Sequence, residues 1–256
     1  MAKKERLTWS SDAGAPYDPT TGKRSVRSLS LEELKIAYQP IVDLQKGGAF
    51  AYEALVRCEV EEYANPMVLF EKAVEEDGCG QLGRKIRESI FSTNVGERLF
   101  INVHPLELSS RWLVRPDDPL CYSREEVFLE VTESATLHYY DLCVSVLKEV
   151  CSRTGCHLVI DDLGAGYSNL NRIVELYPSV VKLDLVLARE LDKNKRKQIL
   201  VSQLVKLCVE LNAKVVIEGI ETLEELKAAR DTGAHYAQGY YLARPAFPPP
   251  HVSWPL

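Results

Sequence analysis

The chain has 256 residues, 46% hydrophobic and 27% charged, with a net charge of −6. These are the proportions of an ordinary soluble globular protein, and the acidic balance without a Lys/Arg stripe argues against a nucleic-acid polymer as partner. No run of about 18 apolar residues is present, so no transmembrane helix and no membrane partner are expected.

The first 28 residues are polar and aperiodic, and read as a tail. The opening "MAKKERLTWSSDAGAP" is basic but has no apolar core, so it does not read as a secretory signal, and a cytoplasmic location is the expectation. Seven cysteines (58, 79, 121, 143, 151, 156 and 208) form no CxxC pair. They read as reduced, mostly buried thiols. A single domain is expected over residues 29–256, with Ser30 and Glu33 at capping-box spacing at its start.

Strand-like segments follow at 35–44 and 49–57, with short β-branched or aromatic cores. The helical stretches "VLFEKAVEE" and "GRKIRESIF" lead to strands at 98–104 and 126–133. "DLCVSVLKEVCSR" sets Leu142, Val146 and Val150 on one helix face. Strands at 157–162 and 179–184 come next, and then "RKQILVSQLVKLCVEL", with Ile199, Leu204 and Leu207 as its apolar face. The basic cluster "DKNKRKQ" at 192–198 reads as a solvated helix face. A strand at 213–219 precedes "TLEELKAARDTGA", with Thr222 and Glu225 as a capping box and Gly233 as the stop. A last strand is expected at 236–242. Eight strands with helical crossovers predict an α/β fold, a TIM-like (β/α)8 barrel; a doubly wound open sheet is the alternative, weakened by the lack of GxGxxG in any βα turn.

Strand after strand carries one functional group at or near its end: Glu53, Asn102, Glu130, Asp161 with Asp162, Lys182, Glu218 and Gln238. In a parallel barrel such ends converge on one rim. Each has a plain reading alone: an aspartate capping the next helix, Asn102 in an Asx turn with Pro105, Lys182 neutralising a neighbour. Those readings are independent, and all would have to coincide on one rim. Five carboxylates that close raise one another's pKa unless a cation is present, and one lysine cannot balance five acids. An all-oxygen set selects hard Mg²⁺ or Mn²⁺. If the backbone turns at the paired aspartates, they can ligate two ions, an arrangement suited to phosphoryl displacement. Gly164 and Gly166 would let the next loop turn over the rim, with Tyr167 or Ser168 facing a ligand.

Taken in order, "YQPIVDL" (38–44), "YEALVR" (52–57), "INVHP" (101–105), "LEVTES" (129–134), "DDLGAGYSNL" (161–170), "VKLD" (181–184), "VIEGIET" (216–222) and "QGYYLARP" (238–245) resemble the EAL domain family of cyclic-di-GMP phosphodiesterases. The match runs from about residue 30 to 247. The resemblance implies a TIM-like barrel with one antiparallel strand, and hydrolysis of cyclic-di-GMP to linear pGpG using Mg²⁺ or Mn²⁺, two ions per site. It implies first-metal ligands at Glu53, Asn102, Glu130 and Asp161. Asp161 would bridge to a second metal, joined by Asp162, with Glu218 bound directly or through water. Lys182 resembles the residue that holds or activates the attacking water, and Glu218 resembles either a general base or a metal ligand. Gln39, Arg57 and Gln238 resemble ligand and water contacts. Glu133 and Glu221 resemble acids that fix the glycine loop and couple it to dimerisation. A homodimer and a regulatory protein partner are further implications. Leu163 stands where phenylalanine is commoner, and His104 where a small serine is usual. The rival readings are a cyclic-di-GMP receptor with slow or partner-dependent turnover, and a barrel enzyme acting on another phosphodiester.

Overall fold

The computed structural model describes residues 24–93, 95–110, 112–132, 140–165, 170–252 and 254–255. Eight strands close into one barrel in chain order: β1 (Leu34–Asp43), β2 (Ala49–Cys58), β3 (Leu99–Asn102), β4 (Val127–Thr132), β5 (His157–Leu163), β6 (Val180–Leu183), β7 (Lys214–Ile217) and β8 (Tyr236–Ala237). The helices are α1 (Pro66–Glu75), α2 (Cys79–Ser92), α3 (Pro105–Ser109), α4 (Tyr140–Thr154), α5 (Asn171–Leu176), α6 (Leu185–Ala188), α7 (Lys195–Glu210) and α8 (Leu223–Asp231).

β1 is antiparallel to both its neighbours, β2 and β8, while the remaining pairs are parallel. The cause is local. Only residues 44–48 separate β1 from β2, and a parallel return needs a crossover of a dozen or more residues.

The barrel interior is layered. Ile41, Ala51, Phe100, Phe128, Val159, Val180 and Val216 form a buried cluster inside it, with Phe50 and Tyr236 packed against them. Phe100 and Phe128 stack at 4.5 Å, and Phe50 stacks on Tyr236 at 4.1 Å. Side chains two apart along a strand share a face. The residue two positions after each plug residue of β2 to β8 is therefore Glu53, Asn102, Glu130, Asp161, Lys182, Glu218 or Gln238. On the reversed β1 the count runs backwards, and Gln39, paired in register with Glu53, precedes Ile41 by two.

Four expectations need correction. Residues 24–28 belong to the body, because Val26 and Leu29 are buried in its core and Ser25 bonds Glu76 at 2.6 Å. The body therefore begins by residue 24, and the rest of the expected tail, 1–23, lies outside the described residues. On α7 the buried face is Val201, Val205 and Cys208, whereas Ile199 and Leu207 are exposed. That helix carries apolar residues around most of its circumference, so periodicity offered two faces, and the one with smaller side chains packs against β7. Strand β8 stops at Ala237, because a Cβ on Gly239 would lie 2.1 Å from the Ile220 carbonyl oxygen. The chain there is wedged against the β7–α8 loop. Finally, Thr222 caps α8 by accepting the Glu225 N–H at 3.1 Å, but the Glu225 carboxylate accepts from Glu221 and Glu190 instead of closing the box. No helix among the described residues is long and apolar enough to cross a membrane.

Candidate active site

Lys182 lies at the centre of the mouth, 1% exposed. Its Nζ stands 2.7 Å from Glu130 Oε1, 2.7 Å from Glu218 Oε1, 3.2 Å from Asp161 Oδ1 and 3.5 Å from Glu53 Oε2. Burial disfavours the ammonium, but these four acids outweigh it and hold its pKa well above the ordinary value. Around it, Asn102 Nδ2 donates to Glu53 Oε1 at 2.9 Å. Gln238 Nε2 donates to Glu53 Oε2 at 2.7 Å and to Gln39 Oε1 at 3.2 Å, and Gln39 Nε2 donates to the Ala243 carbonyl at 3.2 Å. The Asx turn read for Asn102 is not formed, because the His104 N–H it would need is donated to Glu107 Oε1 at 3.2 Å.

Asp161 and Asp162 are neighbours in a strand, so regular pleating would send them to opposite faces. Asp162 instead adopts φ +59, and the β5–β6 register shifts between Ile160 and Leu163. Aspartate tolerates this left-handed conformation better than most residues. The result is that Asp161, Asp162 and Glu218 offer oxygens all within 4.8 Å of one another. Gly164, at φ +107, continues the turn.

The cluster is electrostatically unbalanced. Burial, chiefly, pushes the carboxyls of Glu130 and Asp161 up despite Lys182. Burial and the neighbouring Asp161 raise Asp162 to about 6. Burial also takes Glu218 to about 8, against the pull of Lys182. Glu53 alone goes down: burial opposes its charge, but Lys182 and the amides of Gln238 and Asn102 prevail. Glu130 Oε2 is buried and has no hydrogen-bond partner among the described residues. A buried carboxylate oxygen left so is costly, and a divalent cation is what an oxygen-only donor set of this kind accepts.

Not every expected residue joins the cluster. Arg57 Nη1 donates to the Val56 carbonyl at 2.8 Å, and the residue lines a cavity next to Asn102; among the described residues it forms no ion pair. Glu221 is exposed, and no ion pair joins its carboxylate to the mouth among the described residues. Glu133, Gly166, Tyr167 and Ser168 lie outside the described residues.

Sequence reading missed a second buried ionic network, carried by α2, α3 and the segment at Asp118. Arg87, Glu107 and Asp118 are each 1% exposed. Arg87 donates from Nη1 to Glu107 at 2.6 Å and forks onto Asp118 from Nε and Nη2 at 3.1 and 2.7 Å. Glu107 Oε1 in turn accepts the His104 N–H at 3.2 Å. The available signal was Glu107 three residues after His104, a capping box hidden because its first member is histidine rather than serine or threonine. Gly83 lets α2 approach: a Cβ there would sit 2.1 Å from the Glu107 carboxylate.

Fold and mouth together define a class, a TIM-like mixed barrel with an acidic, cation-demanding centre at its C-terminal strand ends. Residues 23–245 match the EAL domain, and the chain belongs to the EAL domain family. It is 30% identical over 236 residues to the cyclic di-GMP phosphodiesterase RocR of Pseudomonas aeruginosa, covering 86% of this chain and 59% of that protein. It is 28% identical over 232 residues to the cyclic di-GMP phosphodiesterase PdeR of Escherichia coli, covering 86% and 35%. The chain thus spans a third to three-fifths of the length of these relatives. Among solved structures, Klebsiella pneumoniae BlrP1 in its calcium/cy-diGMP complex matches with TM-score 0.75 and 29% identity, over 84% of this chain and 56% of that one. The manganese/cy-diGMP complex of BlrP1 at pH 9.0 matches with TM-score 0.73 and 30% identity over the same shares.

Proposed function

We propose that this chain is a cyclic-di-GMP phosphodiesterase that opens one phosphodiester bond to give linear pGpG, assisted by divalent metal. The observation that carries the reading is the buried set of acids around a single ammonium, with Glu130 Oε2 unbonded among the described residues. The names of RocR and PdeR and the nucleotide complexes of BlrP1 support the substrate.

Glu53, Asn102, Glu130 and Asp161 would hold one ion. Asp161, Asp162 and Glu218 would hold a second, and Mg²⁺ or Mn²⁺ suits these oxygens. When bound, such ions supply positive charge that stabilises the attacking and leaving oxygens and makes water more acidic. The protein's own groups do the rest. Lys182 Nζ, fixed by Glu130 and Glu218, is placed to orient the attacking water by donating to it. Glu218 stands at the same nitrogen, and its raised pKa suits a group that takes a proton near neutral pH. Arg57 presents a planar fork suited to phosphate, and Gln238, held in turn by Gln39, fixes Glu53. The 3′ oxygen leaves, so the product carries a 5′-phosphate. The reading extends to a cytoplasmic homodimer under control of a separate protein, in which Glu133, Glu221, Gly164 and Gly166 couple the loop after β5 to dimerisation. This last part is supported by the family resemblance alone.

The test is pGpG formation in Mn²⁺ by the wild-type chain and by Glu53→Ala, with cyclic-di-GMP binding measured in Ca²⁺. Wild-type turnover lost in the variant, with the fold intact by circular dichroism, is the expected result. Normal turnover by the variant refutes the site, and tight binding without product in Mn²⁺ makes the chain a receptor.

A further inference from the structure

We propose that His104 reads the O6 edge of a guanine and so sets the purine selectivity of the site. The inference rests on the cyclic-di-GMP reading for the identity of its ligand. A cavity of about 290 Å³ lies between β2, β3 and the start of α1, and Arg57, Asn102, Pro66, Phe70, Ile86 and His104 are among its walls. It shares Asn102 with the carboxylate cluster, and Arg57 stands at the same wall. A nucleotide whose phosphate is held at the cluster and by Arg57 therefore has its base within reach of this cavity. The walls suit a flat apolar ring: His104 and Phe70 lie parallel, 9° between planes, with centroids 5.8 Å apart.

The imidazole supplies the polar edge, and its tautomer is set by the backbone. His104 is the N-cap of α3, where Nδ1 accepts the Leu106 N–H at 3.2 Å. A neutral imidazole accepting at Nδ1 carries its proton on Nε2. The other ring nitrogen, Nε2, is thus a donor. The His104 backbone is held by Glu107, which is held by Arg87 and through it by Asp118, so the ring stands on a rigid support. Guanine offers acceptors at N7 and O6, whereas adenine offers an acceptor at N7 and a donor at N6. A donor at N7 would serve both bases. Against O6 it favours guanine and confronts the adenine amino group with a second donor.

Two substitutions separate the edge from the cap. In His104→Asn the side-chain oxygen keeps the Nδ1 role and the Nε2 donor is lost; in His104→Gln an amide donor reaches the Nε2 position and the cap is lost. Binding of cyclic-di-GMP and cyclic-di-AMP in Ca²⁺ is measured for all three proteins, with turnover of both nucleotides in Mn²⁺. Loss of one such bond corresponds to a weakening of about five- to tenfold. The expected result is that loss for cyclic-di-GMP in His104→Asn, with cyclic-di-AMP unchanged or tighter and kcat within about twofold. His104→Gln should retain most of the preference. Equal weakening of both nucleotides, or an unchanged ratio, overturns the assignment even where the wild-type chain turns over normally. A wild-type chain that binds without turnover, yet loses its preference in His104→Asn, keeps the assignment and overturns the phosphodiesterase instead. Absence of binding to either nucleotide overturns both.

Discussion

Two buried ionic clusters, one among α2, α3 and the segment at Asp118 and one in the barrel mouth, are built to opposite rules. In the former, Arg87 meets two carboxylates through all three of its nitrogens, and each acid is bonded again to backbone. In the mouth, Lys182 faces four carboxylates with a fifth, Asp162, nearby, and most of those acids are pushed towards protonation by burial. The first cluster is complete and joins α2, α3 and the segment at Asp118. The second, on the proposed reading, is completed by a divalent cation. Saturated charge marks scaffold here, and unsaturated charge marks function.

The sharpest way to test that contrast is to neutralise one acid in each cluster's own terms. Glu130→Gln should cut metal-dependent turnover by at least ~10²-fold, yet raise the melting temperature of the metal-free protein, because a buried acid held well above its ordinary pKa is removed. Arg87→Met should do the reverse. It leaves Glu107 and Asp118 buried without a cation, which costs ~3–5 kcal/mol, read as a fall in the urea midpoint. If Arg87→Met proved as stable as wild type, the scaffold assignment would be wrong.

Protons offer a second contrast. Glu218 and Asp162 hold theirs to about 8 and about 6 in the folded chain, against ordinary values of 4.5 and 3.8. The folded state therefore binds more protons than the unfolded state between those limits. The contribution of these two groups to metal-free stability is fully present below the ordinary values and is lost as pH rises towards 8. Metal must displace the same protons, so Mn²⁺ titration calorimetry at pH 7, in two buffers of different ionisation heat, should show proton release and a stabilisation of ~2.7 kcal/mol at a hundredfold excess over Kd. Gly83→Ala should have a smaller effect, about 1–3 kcal/mol from overpacking against Glu107, accompanied by weaker purine selectivity through His104.

The smallest effect belongs to Glu33, bound by Arg24 and lowered to about 2 chiefly by that hydrogen bond. Its contribution is fully present above pH 4.5 and fades as pH falls towards 2. Glu33→Gln should cost under ~1 kcal/mol at pH 7 and less at pH 3, since the pair is partly exposed.

Much of the mouth was legible because one functional residue per strand is a pattern that burial alone does not explain. That one strand is reversed came from resemblance alone, and only the structure shows it to be β1, five residues from β2; periodicity gives no direction. Gln39 drew its place from resemblance until the register with Glu53 showed why a residue before, not after, the plug residue faces the mouth. The left-handed Asp162 was only a condition in the sequence, since φ is not written in residue type. The α7 face failed for lack of contrast, because a helix apolar on two sides does not announce which one meets the barrel. Arg87, Glu107 and Asp118 are far apart in the chain, and no local spacing reports such a triad.

The most direct measurement is anomalous diffraction from crystals soaked in manganese. The account predicts density bounded by Glu53, Asn102, Glu130 and Asp161, extending towards Asp162 and Glu218. A mouth still empty at saturating Mn²⁺, in a protein that hydrolyses cyclic-di-GMP, would contradict it.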